Sequence, residues 1–268
     1  MSEAEGEHAT GGGHPGIDGP PTSTGDEPRN RLAAAMRRLS AVAVGQPVDD
    51  EEIARAAAML GALADRLESA SPAAKRTRHE PGPAGFPGLH PQDYFPTSPM
   101  VGFGNPLAPP VEVWAVEGED ERRELRGRVT FGYQYEGPPT CVHGGVIAEV
   151  FDELLGISNL LTGRGAMTGT LKVRYRRPTP LLAPLELVAR NTGQEGRKIF
   201  AWGGIYYQGE LTAEADGIFI HVPPNRMLDI VRGNAKGSEA PLVDADWRRM
   251  MTEGTRSADG RGRDTHRS

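Results

Sequence analysis

The sequence predicts an α+β domain in which an antiparallel sheet curls around one long apolar helix. Three observations carry this reading. Apolar and polar residues alternate with period two on both sides of a single helical segment. That segment, about Gly144 to Leu161, contains the best apolar run of the chain, Val146 to Leu161. The signals follow the order β-β-α-β-β-β-β, which supplies one helix to cover a sheet and no second helical layer.

Each element can be justified in turn. Residues 1–28 include Gly11-Gly12-Gly13, several prolines and almost nothing large and apolar, so they are expected to be disordered. Residues 29–70 read as a helical hairpin. Leu32, Met36 and Leu39 recur at helical spacing until Gly45 and Pro47 stop the run. A second helix begins near Asp49, a capping residue with Glu52 three positions on, and carries the stripe Ile53, Leu60, Leu63 and Leu67. Such a pair is too small to fold well alone and is expected to dock on the main domain or on another subunit. Residues 71–97 read as a linker, because the stretch 81–110 holds 9 Pro and 5 Gly, a density that neither helix nor strand tolerates.

The main domain is expected over residues 98–223. Val111, Val113 and Ala115 alternate first. Leu125, Gly127, Val129, Phe131, Tyr133 and Tyr135 predict a longer strand, ended by Glu136-Gly137-Pro138-Pro139. After the apolar helix, Leu171, Val173 and Tyr175 alternate with Lys172, Arg174 and Arg176. Further strands are expected near 184–192, 197–207 and 210–222, separated by Asn191-Thr192-Gly193 and Gln208-Gly209. Residues 224–268 are expected to form a mostly disordered tail.

Composition narrows the function. A formal net charge of −6 excludes a global basic footprint for nucleic acid. The single cysteine, Cys141, excludes an internal disulfide framework and a Cys-rich zinc site. The acidic, polar start MSEAEGEHAT is unlike a secretory signal, and no apolar run is long enough for a membrane span. A soluble cytoplasmic protein with no metal or cofactor is the expectation.

The informative segment is Val142 to Gly156, VHGGVIAEVFDELLG. Gly144 and Gly145 stand where a strand turns into a helix. The first N–H groups of a helix lack internal partners and carry partial positive charge, so they form a donor site for an oxygen that becomes negative. The plain alternative is a tight turn and nothing more. Asp152 lies in the middle of the apolar helix, on a face with Gly145, Ala148, Glu149 and Gly156. Glu149 and partial burial would both raise its carboxyl pKa towards the range of a useful base, whereas a solvated acidic stripe is the alternative. His143 is a candidate base or a group that holds the loop and its Gly pair. Cys141 with His143 is a weaker nucleophile pair lacking a third orienting group. Thr168 opens the strand after the helix, where a hydroxyl can hold a carboxylate or a water. Lys172, Arg174, Arg176 and Arg177, with Arg197 and Lys198 further on, are candidates for phosphate binding or for a solvated sheet face.

The HGG-x6-D segment, the strand order and the later MTGTLKVRYRRPTPL together resemble hotdog-fold acyl-CoA thioesterases, in particular the PaaI-like branch and its animal relatives. The resemblance covers roughly residues 98–223. It implies that the Gly144 N–H polarises a thioester carbonyl, that Asp152 is the general base or nucleophile, that Thr168 assists it and that His143 supports the loop. It also implies that Gly145 lies with the substrate and that Arg174, Arg176, Arg197 and Lys198 meet the phosphates of coenzyme A. Homodimers, or tetramers built from them, are implied, with each site drawing on two subunits. Several bacterial members carry an Asn six residues before the HGG histidine; here that position is Gly137, within EGPPTCVHGG.

The function expected is hydrolysis of an acyl-CoA, in lipid metabolism, to free acid and CoA. The alternatives are a non-catalytic acyl-CoA-binding or assembly module of the same fold, and a hotdog dehydratase. The dehydratase would need a catalytic His paired with an acid on the helix, and the helix has no His after His143.

Overall fold

The computed structural model describes residues 27–70, 95–117, 123–162 and 165–223, with positions 226 and 229 beyond them. Nearly all of the segments expected to be disordered at either end, and most of the Pro/Gly-rich linker, lie outside the described residues, while Pro28, the last residue of the first such segment, already belongs to a helix.

Two helices come first, α1 (Pro28–Gly45) and α2 (Asp50–Ala70). Pro28 suits the first turn of α1, where its missing N–H has no intrahelical role. Asp49 caps α2 by accepting from the Glu51 N–H at 2.9 Å. α1 docks on the main domain. Ala33 is buried, and Arg37 Nη1 donates to the carbonyls of Phe103 and Asn105 at 3.2 and 2.8 Å. Gly45 lies flat on a ring, so that a Cβ there would stand 2.2 Å from Tyr133 Cδ2. No residue of α2 is buried, and Ile53, Leu60 and Leu67 of its stripe are exposed.

The main domain runs β1 (Glu112–Glu117), β2 (Arg123–Val129), α3 (Gly144–Leu160), β3 (Ala166–Tyr175), β4 (Leu185–Glu195), β5 (Lys198–Tyr207) and β6 (Glu210–His221). The six strands form one antiparallel sheet in the order β1-β2-β4-β5-β6-β3. α3 packs against β2, β3, β4, β5 and β6, which is the hotdog arrangement that the resemblance implied. Its residues Ile147, Val150, Phe151, Leu154, Leu155 and Ile157 are buried among Leu125, Leu187, Ile199, Ile205 and Phe219 of the sheet. Each such side chain contributes about 1.5–3 kcal/mol relative to exposure.

Two local expectations need correction. The alternation from Leu125 to Tyr135 is not one strand. β2 ends at Val129, and Tyr133–Tyr135 form a 3-10 turn that buries Tyr135 and sends its hydroxyl to the Leu107 carbonyl at 2.8 Å. Asn191-Thr192-Gly193 is not the turn between β4 and β5. It is an irregularity inside β4, where the register shifts by one residue, and the turn lies at Gly196-Arg197. In the first place a corner, and in the second an extra residue, interrupts the geometry that plain alternation implies.

The helix packs closely on the sheet over Gly203. A Cβ there would lie 3.1 Å from both Leu155 Cδ2 and the Val188 carbonyl oxygen and 3.5 Å from Phe151 Cδ1. Gly203→Val should therefore lift α3 from the sheet and destabilise the domain by about 1–3 kcal/mol. A fall in the urea midpoint at unchanged m-value is the expected reading, and an unchanged midpoint would refute the close-packing argument.

Candidate active site

The site begins with a small looped hairpin. Glu136 and Val142 bridge, the Gly137 N–H donates to Cys141 O at 2.9 Å, and the Cys141 N–H donates to Pro138 O at 2.9 Å. Gly137 has no room for a side chain, since a Cβ would stand 2.7 Å from His143 Cα. An Asn at this position would displace the histidine, so the bacterial pattern cannot be grafted here unchanged. The His143 N–H is anchored on Tyr135 O at 2.9 Å. His143 is the N-cap of α3, its Nδ1 accepting from the Gly145 N–H at 3.0 Å.

Gly145 therefore commits its N–H to the cap, whereas the Gly144 N–H, at the first position of α3, has no partner among the described residues. The Gly144 carbonyl accepts from Tyr175 Oη at 2.8 Å. This contact was not foreseen, although the alternation of Leu171, Val173 and Tyr175 placed all three on one face of β3.

Two turns into α3, Asp152 Oδ1 accepts from Thr168 Oγ1 at 2.7 Å. Thr168 reaches it because β3 carries a bulge. The register with β6 steps from Thr168↔Phe219 to Thr170↔Ile218, with Gly169 as the extra residue. Strict alternation from Tyr175, Val173 and Leu171 would turn Thr168 away from the helix. The extra residue switches the parity, so Thr168 and Ala166 join the helix-facing side.

Asp152 and Glu149 are exposed in the single chain, so the partial burial expected of Asp152 is absent. The more enclosed acid of this helix is the next residue, half-buried Glu153. Glu153 accepts from Ser98 Oγ at 2.6 Å, and burial, the largest influence, pushes its carboxyl above the usual glutamate range. The Ser98 hydrogen bond opposes this, while the charges of Asp152 and Glu149 add to it. Ser98 also accepts from the N–H groups of Met100 and Val101 at 3.1 and 3.2 Å, so Glu153 ties the incoming loop to α3. No local pattern joins residues 55 positions apart, so this pair has no signal in the sequence.

The basic residues divide. Arg174 donates to Asp216 Oδ2 at 2.6 Å, with Glu214 at 3.6 Å, and Arg176 pairs with Glu214. Arg174 stands on the face of β3 opposite Leu171 and Val173, turned away from the helix, and Arg176, just past the strand's end, joins it on Glu214. In the single chain both guanidinium groups, expected to meet the phosphates of coenzyme A, are thus held by carboxylates. Arg197 Nε reaches the His221 carbonyl at 3.4 Å, and Lys198, exposed at the start of β5, makes no ion pair among the described residues. Cys141 is a free thiol of intermediate exposure. Among the described residues no group of His, Cys, Asp and Glu is arranged to hold a metal, and no helix is long and apolar enough to cross a membrane.

No family model matches the chain. A thioesterase superfamily protein of known crystal structure is 31% identical, with a TM-score of 0.62, over 73% of this chain and 91% of that one. That coverage exceeds residues 98–223, which are under half of the chain, so the similarity extends beyond the main domain. Acyl-coenzyme A thioesterase THEM4 of Mus musculus is 35% identical over 99 residues, 36% of this chain and 43% of the relative. Its counterpart in Xenopus laevis is 35% identical over 95 residues, 35% of this chain and 43% of the relative. The chain thus matches less than half the length of these curated relatives.

The raised carboxyl gives a prediction for stability. With a folded pKa above its unfolded value of ~4.3, ionised Glu153 is disfavoured on folding. Its stabilising effect is complete below the unfolded value and is lost as pH rises through the folded one. Glu153→Gln keeps an acceptor for Ser98 and removes the charge. The variant should therefore gain stability over the wild type near pH 7, and the difference should shrink towards pH ~4. Denaturant melts across this range check it, and a pH-independent difference would show that Glu153 does not titrate in this way.

Proposed function

Because the chain belongs to the thioesterase superfamily, we propose that it hydrolyses the thioester of an acyl-CoA to a free acid and CoA. The observation that supports this most is the pairing of a hydroxyl-anchored acid, Asp152, with an uncommitted N–H at a helix mouth, Gly144. Thr168 occupies one carboxylate oxygen of Asp152 and leaves the other for a water. Asp152 takes a proton from that water as its oxygen attacks the carbonyl carbon. The developing oxyanion receives the Gly144 N–H, aided by the positive end of α3. The C–S bond then breaks, and the proton held by Asp152 passes to the departing thiolate. A thiol of pKa ~8.5 leaves readily, so no strong general acid is needed.

One chain does not complete this site. Asp152 follows Gly144 by eight residues, about 12 Å along the helix axis. An attacking water and an oxyanion on the same carbon are much closer than that. A two-fold dimer with antiparallel α3 helices sets Asp152 of one protomer against Gly144 of its partner, twice over. β3 supports this reading. It is an edge strand, its residues Met167 to Thr170 are exposed, and Met167 and Tyr175 present apolar surface. Arg197 and Lys198 are the cations best left to meet the CoA phosphates, since Arg174 and Arg176 are held by Glu214 and Asp216.

Two variants test the chemistry. Asp152→Asn should lower kcat by about 10²–10⁴ with acyl-CoA binding retained. Gly144→Pro deletes the oxyanion donor while the helix persists, because proline suits the first helical position and His143 already has extended ψ 133. It should cost about 10²–10³ in kcat. Release of free CoA from a panel of acyl-CoAs is the measurement. A wild-type protein that binds these compounds without cleaving them would point instead to a non-catalytic binding module.

Mixing tests the shared site. Refolding the two inactive variants together should restore about a quarter of wild-type activity, since half the dimers are mixed and each has one intact site. No recovery, or a monomer by sedimentation, would refute the shared arrangement.

A further inference from the structure

We infer that Tyr175 is a positioning residue that clamps the Gly144–Gly145 peptide and so aims the Gly144 N–H. This rests on the thioesterase reading above and deepens it. Two consecutive glycines give the backbone no Cβ to restrict it, yet an oxyanion donor must point in one direction before the reaction begins. The structure supplies the missing restraint from outside the loop. The carbonyl of the Gly144–Gly145 peptide accepts from Tyr175 Oη at 2.8 Å, and the N–H of the same peptide donates to His143 Nδ1 at 3.0 Å. The preceding carbonyl, on His143, accepts from the Ile147 N–H at 3.2 Å. Each of these groups at the turn is held, and the Gly144 N–H is left over.

Tyr175 is well placed to act as an anchor. It is the last residue of β3 and pairs with Ala213 of β6, so its backbone is fixed by the sheet. Its ring covers the bare Cα of Gly144, where a Cβ would lie 3.3 Å from Oη. The side chain is 55% exposed, so core packing does not account for it, and the contact it makes through the hydroxyl is the polar one. A tyrosine hydroxyl on the carbonyl also polarises the peptide and strengthens the N–H bond to His143, so the two restraints reinforce one another.

Tyr175→Phe removes the hydroxyl and keeps the ring. The expected result is a fall in kcat of about 3–10-fold, the scale of one hydrogen bond, with KM for acyl-CoA within about twofold. Amide exchange at Gly145 should quicken by a similar factor while the melting temperature changes by no more than ~2 °C. A structural defect would instead lower the melting temperature and move KM and kcat together, which would overturn the inference, as would unchanged kcat in the active enzyme. If the wild-type protein cleaves no acyl-CoA, the functional reading falls. The exchange measurement then decides the clamp, because an unchanged Gly145 rate in the Phe variant refutes it without reference to activity.

Discussion

The molecule depends on one geometric constraint: a single sheet must cover a helix that is apolar around most of its circumference. The buried residues of α3 face a sheet that touches it from five strands. A wrapped helix still keeps one uncovered strip, and that strip holds Gly145, Glu149 and Asp152. The cost of a carboxylate on such a helix is therefore small at Asp152, which stays in contact with water. It is larger at Glu153, one position on, where a serine hydroxyl offsets part of it. The same wrapping brings the far strand, β3, against the start of the helix. A glycine-rich turn and a hydroxyl-bearing strand are thereby neighbours although about thirty residues separate them in the chain.

Much of this was legible in the sequence. The strand order, the extent of α3 and the face occupied by Asp152 follow from periodicity, because each depends only on which residues avoid water. Thr168 was placed at the start of the right strand, but its direction was not readable. Plain alternation from Leu171 points it away from the helix, and only the extra residue at Gly169 reverses that. The tyrosines at 133 and 135 continue an alternating pattern, yet they belong to a tight 3-10 turn in which Tyr135 is buried and Tyr133 stays exposed, so period two in a sequence does not by itself establish a strand.

Charge was the least readable property. Lys172, Arg174 and Arg176 look like a cationic face when β3 is considered alone. Register with β6 decides otherwise, since Arg174 lies opposite Glu214 and Lys172 opposite Asp216. A strand's charge has meaning only beside its neighbour, and which strands are neighbours is a property of the whole topology. Gly137 illustrates the converse. Its close approach to His143 explains why glycine stands there, but the sequence shows only a turn rich in glycine and proline.

The docking of α1 reaches further than its small buried area suggests. Gly45 rests on Tyr133, and the same 3-10 turn ends at Tyr135, whose carbonyl holds the backbone of His143. Arg37 meanwhile fastens the loop that leads to Ser98 and hence to Glu153. A chain trimmed to begin at residue 98 would keep Gly144, Asp152 and Thr168 and lose the prop beneath them, so the smallest piece that folds and the smallest piece that holds this geometry need not share the same first residue.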